Sequence, residues 1–119
     1  MQVFNMDSMG KKVEGANPMF VGSVETQRMV TADVSDHILI GNVIFSPGAR
    51  TKRHTHESDQ VIVVTGGRGI LATDEEENQV SQGDVVHVPK GEVHWHGATS
   101  DSSFSQISVL LPGENKILE

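Results

Sequence analysis

Four of the six histidines stand in two His-x-His pairs, His54-Thr55-His56 and His94-Trp95-His96. Side chains two apart on a strand project from the same face, so each pair offers two imidazoles to one side of a sheet. Imidazole nitrogen binds divalent cations at about 2.0–2.2 Å, and pairs on neighbouring strands aimed into a barrel can meet at one ion. Gln60 keeps the parity of the first pair, and a bend or bulge near Glu57 to Asp59 brings its amide oxygen round to the same point. The chain has no cysteine. Disulfides and thiolate sites are therefore excluded, and a metal must rest on nitrogen and oxygen ligands. His37 and His87 each stand alone and read as strand-end or surface residues.

Strands are what the rest of the chain supplies. Short β-branched runs, among them "HILIGNVIF", "QVIVV", "GILAT", "DVVHVP" and "FSQISVLL", alternate with turn signals such as Pro47-Gly48, Gly66-Gly67, Gly83, Pro89 with Gly91, and Pro112-Gly113. Such spacing, with almost no helical period, predicts an all-β sandwich or barrel. The acidic run Asp74 to Glu77 reads as a solvated hairpin tip between two of these runs. A chain of 119 residues holds one domain with a real core. We divide it into an N-terminal arm at 1–18, polar, glycine-rich and flexible, a barrel domain at 19–113 and a C-terminal tail at 114–119, and set both ends aside from functional reasoning.

Sixteen acidic against nine basic residues give a formal charge of -7. Such a surface repels phosphate backbones and anionic headgroups, so neither nucleic acid nor a membrane is expected as a partner. No stretch approaches the roughly 20 apolar residues of a spanning helix, nor does the start resemble a signal peptide, and a soluble cytoplasmic protein is expected.

The order Gly48, five residues, His54-Thr-His56, three residues, Gln60, six residues, Gly67 resembles the first motif of the cupin superfamily. Gly83, five residues, Pro89-Lys-Gly91, two residues, His94 resembles the second. Together with "PGART" and "HWHGAT", these strings are similar to small bacterial single-domain cupins of the conserved-barrel type. Some of those are associated with carboxymuconolactone decarboxylases, and some relatives are manganese-dependent hydroxynitrile lyases. The resemblance implies a double-stranded β-helix, the jelly-roll barrel, with one divalent metal bound by His54, His56, Gln60 and His94. Manganese, iron or nickel is the expected ion, with zinc or copper as alternatives. Two departures stand out: an amide at Gln60 where many cupins carry glutamate, and Arg53 where the related lyases have tryptophan.

Three neutral imidazoles and a neutral amide leave a cation's charge uncompensated, so the expected ligand is a small, anionic molecule. His96 shares a face with His94, which suits a general base or a substrate hydrogen bond; the alternative is a ring that bonds the barrel wall and only shapes the cavity. The expected function is that of a metal-dependent small-molecule enzyme with lyase, isomerase or dioxygenase chemistry on a carbonyl or carboxylate substrate. A non-catalytic sugar- or small-acid-binding module is the competing expectation. Homodimers are common among small cupins, and the apolar strand around Phe20 to Val24 is an edge that pairing would cover.

Overall fold

Along Gln60 to Val64 buried side chains alternate with half-buried ones, the period of two expected of a strand with one face on a core. The computed structural model describes residues 1–119 and contains twelve strands and no helix. They are β1 (Lys12–Val13), β2 (Phe20–Val21), β3 (Val24–Val30), β4 (Leu39–Phe45), β5 (Arg50–Thr51), β6 (His54–His56), β7 (Gln60–Thr73), β8 (Glu77–Ser81), β9 (Val85–Val88), β10 (His94–Ala98), β11 (Phe104–Leu110) and β12 (Asn115–Ile117). Every pairing is antiparallel. One wall runs β1-β3-β4-β11-β7-β9. The other runs from β8 through β7 to β10, which then meets both β5 and β6; these carry β2 and β12 in turn.

Strand β7 belongs to both walls. Its residues 60–67 pair with β11 and its residues 69–73 with β10. "QVIVV" and "GILAT" read as two strands in the sequence, whereas the structure runs one strand of 14 residues through the glycines between them. The physical reason lies at Thr65 to Gly67. Opposite β11, Val64 faces Gln106 and Gly66 faces Ser105, so Thr65 is an extra, bulged residue, and Gly67 takes φ 70°. A bulge followed by a left-handed glycine bends a strand without ending it.

The core fills one part of the space between the walls. Phe45 and Phe104 are fully buried and stack at 5.8 Å, and Phe20 meets Phe45 edge-on at 6.1 Å. Ile62, Val64, Leu71 and Val24 close around them. Among the valines and isoleucines of β7 and β9, Ile62, Val64 and Val88 point inward.

Both ends of the chain carry strands. In the segment read as an arm, β1 pairs with β3, and Gln27 donates to the carbonyls of Met6 and Met9 at 2.8 and 3.0 Å. Glu14 is 5% exposed and accepts hydrogen bonds from Thr26 (2.7 Å), Arg28 (3.0 Å) and Asn17 (3.2 Å). In the segment read as a tail, β12 pairs with β6 and the Glu119 carboxylate receives both Arg50 amino groups, at 2.9 and 3.1 Å.

Two expectations follow from these contacts. Burial alone would raise the Glu14 pKa, but the three hydrogen bonds and the Arg28 charge outweigh it and bring it down to about 2. A carboxyl depressed on folding stabilises fully above its ordinary value of 4.5, and that contribution drains away as pH falls toward 2. Urea melts from pH 5 to pH 2 will show a falling stability whose slope is shallower in Glu14→Gln. At Gly67 an added Cβ would fall 1.8 Å from the Ser103 carbonyl oxygen, whereas at Gly48, with φ 77°, it would meet open space. Gly48→Ala is expected to cost about 1 kcal/mol of backbone strain, and Gly67→Ala on the order of 3 kcal/mol once the clash is added; equal urea midpoints for the two variants would contradict this account.

Candidate metal centre

Strands β6 and β10 lie side by side with His54 directly opposite His94. Their alternation turns His54, His56, His94 and His96 inward while Thr55 and Trp95 face away, half-buried. The turn at Glu57 to Asp59 then carries the chain across to the other wall, where Gln60 opens β7. The amide therefore faces the imidazoles from the opposing sheet. None of the five side chains is more than 9% exposed. One ring nitrogen from each of His54, His56 and His94 lies within 4.8 Å of the others, and Gln60 Oε1 is 3.1 Å from His94 Nε2. That last separation is close to the edge of an octahedron with bonds of about 2.2 Å.

Hydrogen bonding decides which ring nitrogen is free. His54 Nδ1 donates to the Lys52 carbonyl at 2.6 Å, and His94 Nδ1 to the Glu92 carbonyl at 2.9 Å. The same nitrogen of His56 donates to Asn115 Oδ1 at 2.6 Å. With Nδ1 protonated and held, each neutral ring presents Nε2 as a lone pair. His56 Nε2 is sealed from water and has no partner. Leaving a buried polar atom so costs about 1–3 kcal/mol, unless something too small to need a water-sized space sits against it. With Nδ1 protonated, His94 Nε2 and Gln60 Oε1 face each other as two acceptors, an arrangement that a cation between them would relieve. Gln60 is aimed by its other end, since Nε2 donates to Ser108 Oγ at 2.8 Å. This donor set fits a divalent cation held by His54, His56, His94 and Gln60 Oε1.

Charge agrees with that chemistry. Burial, followed by the nearness of His94, pushes the His54 pKa down to about 3 against the pull of the Lys52 carbonyl. The pKa of His94 is lowered by burial first, and that of His96 is pushed well down by burial and then by His54 and His94. At neutral pH these rings are uncharged and available to a metal.

His96 sits one step deeper. Its ring meets Phe45 edge-on at 5.9 Å, its backbone N–H donates to Thr51 Oγ1, and its Nδ1 donates to Gln106 Oε1 at 3.1 Å. His54, His56, Gln60 and His96 all line one cavity of about 670 Å³, with Gln106 and Asn115 beside them. His37 and His87 lie outside it, exposed, and His87 bonds Asp59 at 2.9 Å. The two arginines just before the first pair are held at the surface: Arg50 pairs with Glu119, and Arg53 reaches Asp74 through two bonds of 2.9 and 2.8 Å. The departure at Arg53 therefore alters the outer surface and leaves the cavity wall untouched.

Asn115, Ser108 and Gln106 were not singled out from sequence. For His54 and His94 a local signal exists in retrospect, because both bond the carbonyl two residues upstream. Asn115 has none, being 59 residues from the ring it holds.

The cupin domain family matches residues 41–110, which span every strand from β5 to β11 and all four inward histidines. The chain belongs to the cupin family. This cupin is 32% identical over 104 residues to the (R)-mandelonitrile lyase of Granulicella tundricola, covering 85% of this chain and 79% of that one. A cupin-like protein from Thermotoga maritima superposes with a TM-score of 0.86 at 31% identity, covering 94% and 88% of the two chains. The polyketide cyclase RemF from Streptomyces resistomycificus superposes at 0.87 with 17% identity, covering 100% and 86%, and shares the fold. No helix of this cupin is long and apolar enough to cross a membrane.

Removing one imidazole should open the donor set. His94→Ala purified without added metal and then dialysed against Mn²⁺ or Ni²⁺ is expected to retain well under one ion per chain, whereas His87→Ala retains as much as the parent. Metal analysis of the two proteins checks this, and full occupancy in His94→Ala contradicts the assignment.

Proposed function

We propose that this cupin is a divalent-metal-dependent lyase of small hydroxylated substrates that break down to a carbonyl compound. The observation that carries the proposal is the convergence of three imidazole Nε2 lone pairs and the Gln60 carbonyl oxygen beside a cavity, with His56 Nε2 otherwise unpartnered. The 32% identity to a mandelonitrile lyase supports the choice of lyase over isomerase or dioxygenase. His54, His56, Gln60 and His94 would hold the ion, with manganese, iron or nickel favoured because four protein ligands leave two positions open on a six-coordinate centre. When bound, the cation supplies Lewis acidity toward a substrate oxygen.

The remaining work falls to the chain. Gln106 Oε1 holds the His96 Nδ1 proton, which leaves His96 Nε2 as the lone pair. With a cyanohydrin as substrate, His96 Nε2 takes the hydroxyl proton as the carbon–carbon bond to the nitrile breaks. The oxygen becomes an aldehyde carbonyl, cyanide leaves with the bonding electron pair, and the imidazolium returns the proton to it as hydrogen cyanide. The depressed basicity of His96 favours that return, because a buried imidazolium gives up its proton readily. Arg50 and Arg53 are paired with carboxylates of the same chain, so attraction for an anionic leaving group or carboxylate would come from the ion.

The test is benzaldehyde release from (R)-mandelonitrile by protein loaded in turn with Mn²⁺, Fe²⁺ and Ni²⁺. Turnover should require metal, and His96→Asn should lower kcat by about 10²–10⁴ while keeping the ion. Fully loaded protein that turns over no cyanohydrin, yet binds small carboxylates, would sink the lyase proposal in favour of a binding module.

A further inference from the structure

We infer that Asn115 is a metal-positioning residue, through which docking of the C-terminal strand sets the affinity of the metal centre. This rests on the ligand assignment proposed above. Each of the three ligand rings must keep its proton on Nδ1 and its Nε2 toward the ion. Two are held by backbone carbonyls of their own approach segments, Lys52 and Glu92, which no side-chain change removes. The third is held by a side chain alone, Asn115 Oδ1 at 2.6 Å, and it is that ring whose Nε2 is left without a partner.

The strand that carries Asn115 is fastened for the purpose. Asn115 lies directly opposite His56 in the β6–β12 pairing, with Lys116 opposite Thr55 and Ile117 opposite His54. Beyond it, the Leu118 N–H donates to the Arg53 carbonyl at 2.8 Å, and Glu119 clasps Arg50. Asn115 also lines the cavity. The strand and the residues that fasten it, 115–119, lie outside the stretch that matches the family, residues 41–110. Without the Oδ1 acceptor, His56 is free to move its proton to Nε2, where it blocks ligation, and its ring is free to turn.

The measurement is the Mn²⁺ and Ni²⁺ affinity of the full chain at neutral pH, by competition with a chelator, for the parent, Asn115→Leu, Asn115→Ala and Asn115→Asp. Loss of an outer hydrogen-bond partner to a ligand histidine typically weakens binding about 10- to 100-fold. That loss is expected for Leu and Ala, while Asp, which also accepts from Nδ1–H, binds within a few-fold of the parent. The His56 Nδ1 proton resonance should survive in Asp and vanish in Ala, a readout that mere loosening of the tail would not produce. If Leu fails to fold, Ala, with its smaller side chain, carries the comparison. Parent-like affinity in Ala, or an Asp variant as weak as Ala, overturns the role of Asn115. Those results alongside a weakened His94→Ala sink Asn115 alone; a parent that binds neither ion, or binds no better than His94→Ala, sinks the ligand assignment and this inference with it.

Discussion

Lone pairs repel one another, and the interior of this barrel brings four of them together. Three imidazole nitrogens and an amide oxygen converge beside the cavity, and the proton that would relieve each ring is committed on its far side. A positive charge at its centre would relieve that repulsion. Burial also lowers the pKa values of His54 and His94, so those two rings do not supply that charge by protonating at neutral pH. A divalent cation resolves both demands, and the rest of the molecule can be understood as the frame that holds the donors in place.

The frame works because the donors come from both walls. His54, His56 and His94 project from the wall built on β10, and Gln60 from the opposite wall, at the first residue of the strand that later bends across to join β10. An ion shared among them would tie the two sheets where the aromatic core does not reach. Phe45 links the regions: it stacks on Phe104 and meets His96 edge-on, so packing of the apolar core orients the deepest histidine.

Charge is sorted by side. Histidines and amides line the interior, while Arg50 and Arg53 are neutralised at the surface by Glu119 and Asp74. Glu14, the buried carboxylate, is matched by Arg28 and by two further hydrogen bonds. A bound cation would then be the principal source of field within the cavity, where low dielectric magnifies its effect on any oxygen near it.

The two His-x-His pairs, Gln60 and the glycines at 48, 67, 83 and 91 were legible from residue types and spacing, because strand alternation and left-handed turns are local properties. All-β architecture was equally plain from the short β-branched runs. Local pattern had no means of showing that "QVIVV" and "GILAT" form one bent strand, since a glycine pair marks a turn and a bend alike. Nor could it show that the last strand returns to place Asn115 on His56, a contact across 59 residues with no periodic signature. The sequence by itself determined which side chains can offer a metal a ligand and which face of each strand they occupy. Only the tertiary structure decided which nitrogen of each ring is free and which distant groups hold it, because hydrogen-bond partners from other strands exist only once the walls have closed.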